Sequence, residues 1–261
     1  NAMRSNTTGV NNTANGESAM FSNIDGINNT AIGAGALFSN TNGNGNTAVG
    51  ISAANANTTG NDNTAIGNHS FSNNTTGFKN TALGSETLAN NSIGNYNTAV
   101  GEFALVFNTT GSNNIAVGAS ALENNNSANA SIAIGTAALA NSNISRQVAI
   151  GDSALYNLNG GSGFNTAVGA RALFASTTAQ ENAAFGFGSL QRTTTGNFNA
   201  AFGTSSLTNN TSGASNTAVG TNAIGKGTAA SNNTAVGTNA LNNVTTGGNN
   251  TAIGRSTLTA L

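Results

Sequence analysis

The carboxylates are Glu17, Asp25, Asp62, Glu86, Glu102, Glu123, Asp152 and Glu181. Acid–base hydrolysis needs two of them held across one bond, yet they are scattered through different segments and form no pair in sequence. His69 is the only histidine and there is no cysteine. Thiol chemistry is therefore excluded, and one imidazole cannot build a common zinc site. His69 reads as a solvated turn residue. Calcium-binding roll repeats would place aspartates at short regular intervals, whereas the chain has only Asp25, Asp62 and Asp152. Gly33-Ala34-Gly35 and Gly186-Phe187-Gly188 lack the following helix that a phosphate cradle requires. Asn57-Thr58-Thr59 and Asn108-Thr109-Thr110 match the glycosylation acceptor but read more simply as turns. The sequence thus predicts no catalytic residue, no metal site and no cofactor, and a chain that is not an enzyme.

The residues that could do something else are aromatic. Tyr96, Phe164 and Phe198 occupy matching positions in three turns, with Phe78 beside Tyr96. Aromatics at such positions are candidate surface contacts for a receptor, or they pack against a neighbouring subunit. What would position them is a repeat. Glycine recurs from Gly16 and Gly33 through Gly135, Gly151 and Gly169 to Gly254, and twelve of the fourteen intervals are 17 residues. The other two, 16 and 18, are consecutive and cancel. A period of this kind means one small coil of backbone stacked about fifteen times.

With that glycine as position zero, the columns can be read. Ala stands at −2 in every coil and a large apolar residue at −1 in all but the first, as in Asn46-Thr47-Ala48-Val49-Gly50. β-Branched residues alternating with small ones read as a short strand. Position +4 is a second apolar column running from Met20 and Leu37 to Leu258, interrupted only by Ala54, where a void or a repacked Ile51 is expected. A second glycine at −7, as in Gly43 and Gly60, closes an Asn-Thr-Thr-Gly turn and is expected to supply positive φ. Two strands and two turns per coil make a flattened parallel roll.

Alternation places Thr at −3 and Val at −1 on one face and Ala at −2 on the other. Where −1 becomes Phe185 or Phe202, −3 shrinks to Ala183 or Ala200. Read as interior volume exchange, this puts the Val and Leu columns together inside. The Ala column then faces out, where its constancy implies a second chain pressed against Ala48, Ala65, Ala82, Ala99 and Ala116 as a subunit interface. The same coupling of Thr to Phe argues that Thr is buried, and so against an exposed hydroxyl array that binds ice. The Asn column at −4, including Asn29, Asn46, Asn63 and Asn80, is expected to stack one amide per coil at about 4.8 Å, pairing neighbouring coils.

Only 6% of residues are charged and the net charge is −1, which gives no electrostatic footprint for nucleic acid. No apolar run approaches the roughly 20 residues that span a bilayer, so no membrane contact is expected within this stretch. Asn1-Ala2-Met3 reads as a tag remnant and 4–261 as a single β-roll repeat domain, a piece of a longer fibre.

These repeats resemble the Asn-Ser-Val-Ala-Ile-Gly repeats of YadA-like heads of trimeric autotransporter adhesins, over residues 12 to 258. The shared core occurs as Ala31-Ile32-Gly33, Ala133-Ile134-Gly135 and Ala149-Ile150-Gly151. The 17-residue coil departs from the family's, which is usually near 14. The resemblance implies an all-β, left-handed parallel β-roll solenoid packed as a homotrimer, and a non-enzymatic adhesin head. Such a head binds a host surface, matrix protein or glycan through its outer turns, outside the cell and anchored to the outer membrane through regions not in this sequence. Similar arrays occur in phage tail-fibre-like proteins, where the same coils form a structural shaft.

Overall fold

A computed structural model describes residues 1–258 and divides the chain into two compact units, Asn1–Ala130 and Ser131–Leu261. Unit 1 carries strands β1 (Thr13–Asn15) to β7 (Ile115–Val117), one per coil, each paired in parallel with the next. Unit 2 carries β8 (Ile132–Ile134) to β15 (Thr251–Ile253) in the same arrangement. The protein is an all-β parallel solenoid with a 17-residue repeat. Like columns meet in register: Thr30 opposes Thr47, Ala31 opposes Ala48 and Ile32 opposes Val49. Register also survives the two irregular coils, where Val148 opposes both Ile132 and Thr166, so the turns absorb the missing and the extra residue.

The two strand faces are the reverse of the sequence expectation. Ala31, Ala48, Ala65, Ala82, Ala99 and Ala116 have no exposed surface in the isolated chain. Ile32 is 41% exposed, and the Thr, Val and Phe flanks point outward with it. Ala48, Ala65, Ala82, Ala99 and Ala116 therefore form no wall open to a second chain; they lie inside the coil. The interior is so thin that the second wall contributes a leucine and the strand only a methyl group. The alanines never grow because space inside is short. The exchange of Thr for Ala beside Phe185 and Phe202 takes place on the outer face, where those two rings stack at 4.9 Å and 5°. The Leu column is buried as expected, from Met20 and Leu37 to Leu241. Beside Ala54, Ile51 does not turn inward; it is exposed.

Among the described residues each coil has one strand, not two. The second wall, +1 to +6, is held by hydrogen bonds to the coils before and after. Gly35 N–H donates to Glu17 O at 2.9 Å, Leu37 N–H to Ala53 O at 3.0 Å and Ser39 N–H to Asn55 O at 2.9 Å. Its +2 and +4 residues are left-handed, with φ near +50° even at Leu37 and Leu105. Non-glycine residues enter this region at a cost of order 1–3 kcal/mol, so the bonds to both neighbouring coils must hold them there. The −7 glycines also serve differently from expectation. Gly43 has no positive φ; a Cβ there would collide with the Asn40 side chain and the Gly60 carbonyl. Close approach, not backbone freedom, requires glycine at that position.

Two buried amide ladders flank the core. The −4 ladder is the expected one, and it bonds backbone: Asn46 N–H donates to Asn29 Oδ1 at 2.9 Å, and Asn46 Nδ2 donates to Gly60 O at 2.8 Å. In the short coil Gln147 takes over, its longer arm accepting from Asn165 N–H at 3.1 Å. A second ladder at −10, not singled out from sequence, links side chain to side chain. Asn23, Asn40, Asn57, Asn74, Asn91, Asn108 and Asn125 each donate to the preceding residue of that column, beginning at Asn6.

Candidate functional site

The turn residue at −5 is left-handed in every coil, a position that suits Asn, Asp or Gly. Asn11, Asn28, Gly45, Asp62 and Asn113 obey that preference. Tyr96, Phe164 and Phe198 do not, at φ of 57°, 63° and 58°. Nor are they repaid by burial, being 49%, 52% and 52% exposed. Bulky rings held in an unfavourable backbone conformation while facing water are not explained by stability, and such positions concentrate at functional surfaces.

Neighbouring coils build on these rings. Lys79, one coil earlier in the same column, lies over Tyr96 with Nζ 5.5 Å from the ring centre, and Phe78 meets Tyr96 edge-on at 5.2 Å. Arg146 covers Phe164 in the same way at 5.5 Å. Cation–π contacts of this exposed kind contribute about 0.5–1 kcal/mol and hold the ring in place. In unit 2 the column reads Arg146, Phe164, Glu181, Phe198 in four successive coils. Beside it a hollow of about 440 Å³ is lined by Phe164, Thr166, Glu181, Asn182 and Ala183. The small Ala183 at a position usually held by Thr opens this hollow.

The outward strand face borders the aromatic column. Its Thr row is broken by Ile115, Ile132, Val148, Ala183 and Ala200, and its other row is aliphatic or phenylalanine. The face is thus a β-branched apolar ribbon in each unit, not a uniform hydroxyl lattice. His69, Glu17, Asp25, Asp62, Glu86, Glu102, Asp152 and Glu181 are all exposed or half-exposed. Among the described residues no group of three His, Cys, Asp or Glu could hold a metal ion. The same residues include no helix long and apolar enough to cross a membrane.

Comparison with protein-family models and with curated proteins finds no match to the chain.

Proposed function

We propose that this chain is a head region of a trimeric surface adhesin of the YadA-like kind, left-handed in its winding, non-enzymatic and displayed outside the cell. The observation that carries the reading is the set of exposed rings at Tyr96, Phe164 and Phe198, placed where the backbone disfavours them and steadied at two of the three by a cation from the preceding coil. Aromatics and arginines are the side chains that dominate contact energy at protein surfaces, and repetition along stacked coils adds weak contacts as avidity. The outward ribbon of Thr, Val and Ile is the face assigned to the trimer. It repeats with the coil, so cyclic symmetry brings equivalent rows together.

Light scattering of the purified chain and its binding to immobilised fibronectin, collagen and laminin test the proposal together. A trimeric mass is expected, with binding that falls at least tenfold in the triple variant Tyr96→Ser, Phe164→Ser, Phe198→Ser while the mass stays trimeric. A monomeric mass overturns the assembly. A trimer whose binding is absent, or unchanged by the three substitutions, overturns the adhesive reading in favour of a structural fibre shaft.

A further inference from the structure

A second recess lies on the +1 to +6 wall of unit 1, away from the strand face, with a volume of about 530 Å³. Its origin is a local change in where the bulk sits. At +5 four coils carry large rings that stack in pairs along the wall, Phe21 on Phe38 at 5.2 Å and Tyr156 on Phe174 at 5.4 Å. In three successive coils that position is Ser72, Ala89 and Val106, which form a low floor, with Ala89 and Val106 buried. At +2 the pattern inverts. Most coils place Ser, Gly, Ala or Asn there, but the same three coils place His69, Glu86 and Phe103 in left-handed backbone at φ of 52°, 50° and 58°. They make one rim. Asn73, Asn90 and Phe107 make the other, with Phe107 48% exposed. That rim is tied down, since Asn73 Nδ2 donates to Asn90 Oδ1 at 3.0 Å and Asn90 Nδ2 donates to Val106 O at 3.0 Å. Glu123, the next +5 residue, closes one end.

The lining therefore holds two carboxylates, Glu86 and Glu123, two phenyl rings and an apolar floor, but no lysine or arginine. Unit 1 has only two basic side chains, and both are occupied elsewhere: Arg4 over Phe21 and Lys79 over Tyr96. The recess thus has negative charge without a counter-charge, next to ring faces that favour cations. Its size falls in the range of small-molecule sites.

We propose that this groove binds an organic cation, an alkylammonium or guanidinium group on an apolar stem, with the stem on Ala89 and Val106 and the charge between Glu86 and Glu123 against Phe103 and Phe107. His69 is the only histidine and lies on the rim, so its ring-proton resonances are an unambiguous reporter. The experiment titrates the whole chain with n-butylammonium at fixed pH. Matched titrations use 1-butanol and methyl glucoside, and the variants are Glu86→Gln with Glu123→Gln, and Phe107→Ala. The expected result is a saturable shift of the His69 signals with butylammonium, weakened at least tenfold by the double Gln variant, weakened by Phe107→Ala and reduced by added salt. A peptide arm, acetyl-Gly-Lys-Gly-amide, separates the sources: tighter binding than butylammonium assigns the cation to a protein side chain, weaker binding to a free amine. The proposal is overturned if butanol or the glucoside moves the signals as strongly as the amine, if butylammonium gives no saturable shift, or if the double Gln variant binds as well as the parent.

Discussion

Unit 1 and unit 2 share one coil plan yet differ in what fills it. In unit 1 both amide ladders run without a break. In unit 2 the −4 ladder continues from Gln147 through Asn165, Asn182, Asn199, Asn216, Asn233 and Asn250. The second ladder's column, counted as the seventh residue after each coil's glycine, instead becomes Ser142, Leu158, Ser176, Thr193, Asn210, Gly227 and Val244. Ser176 Oγ, Thr193 Oγ1 and Asn210 Oδ1 are buried there with no partner. The units also differ in charge. Unit 1 has two basic and six acidic side chains, unit 2 five basic and two acidic, for formal charges of −4 and +3. The ladder that survives in both units is the one that satisfies backbone groups. The one that is lost joined side chains to one another and to a carbonyl that the −4 ladder also serves, as Asn57 and Asn46 both do at Gly60 O. Backbone N–H and C=O groups recur in every coil and must be paired if buried, whereas a side-chain ladder can be replaced by small or apolar residues at moderate cost.

The largest effect expected follows from that difference. Asn63→Ala strands Asn80 N–H, held at 3.0 Å, while Gly77 O, held at 2.9 Å, keeps its second donor, Asn74 Nδ2 at 3.0 Å. Asn216→Ala strands two groups, Asn233 N–H at 3.1 Å and Ala230 O at 2.7 Å, because Gly227 stands where unit 1 has its second amide. With about 1–3 kcal/mol for each stranded group, Asn216→Ala should lose about 3–5 kcal/mol of local stability and Asn63→Ala about 1–3 kcal/mol. Amide hydrogen exchange reads this coil by coil, which suits a stacked architecture better than a single melting midpoint. Equal losses would break the claim that the second ladder backs up the −4 ladder in unit 1.

A smaller effect separates them. Asn74 donates to Asn57 Oδ1 at 2.6 Å and to Gly77 O at 3.0 Å, and it accepts from Asn91 at 3.1 Å. The Asn210 side chain makes only its bond to Gly213 O at 3.0 Å. Asn74→Ala should therefore cost about 2–3 kcal/mol and Asn210→Ala about 1 kcal/mol, measured by the same exchange rates. The smallest effect has the opposite sign. Ser176→Ala combined with Thr193→Val removes two unpartnered buried hydroxyls, and thermal unfolding should shift upward by the equivalent of up to about 1 kcal/mol. A downward shift would mean that those hydroxyls are satisfied in solution.

How much of this was legible in sequence follows from the physics of each column. The period, the parallel stacking, the buried Leu column and the −4 amides were readable because each repeats in all or nearly all coils. The strand faces were not. In a three-residue strand, positions −3 and −1 always share a side, so their volume exchange reports contact without saying whether that side is wet. Left-handed leucine in the second wall carries no glycine to announce it. The −10 amides sit in Asn-Thr-Thr-Gly segments that look like ordinary turns, and half the chain has lost them. The groove on unit 1 was missed because its floor is defined by small residues where four coils have rings and its rim by large residues at +2, a signal visible only once +2 and +5 are known to lie on the same wall. Tyr96, Phe164 and Phe198 were identifiable as a set, but the cations over Tyr96 and Phe164 emerge only from stacking Lys79 and Arg146 one coil earlier.

The two-sided hydrogen bonding of the second wall bears on how such a chain acquires its structure. Leu37 and its equivalents adopt left-handed backbone under the joint grip of the coils on either side, so a solitary coil has little reason to choose that conformation. Growth should then resemble a crystal advancing from a seed, each finished layer serving as template for the next. Starting the first layer is the slow event, and any layer with a neighbour on one side alone stays the loosest.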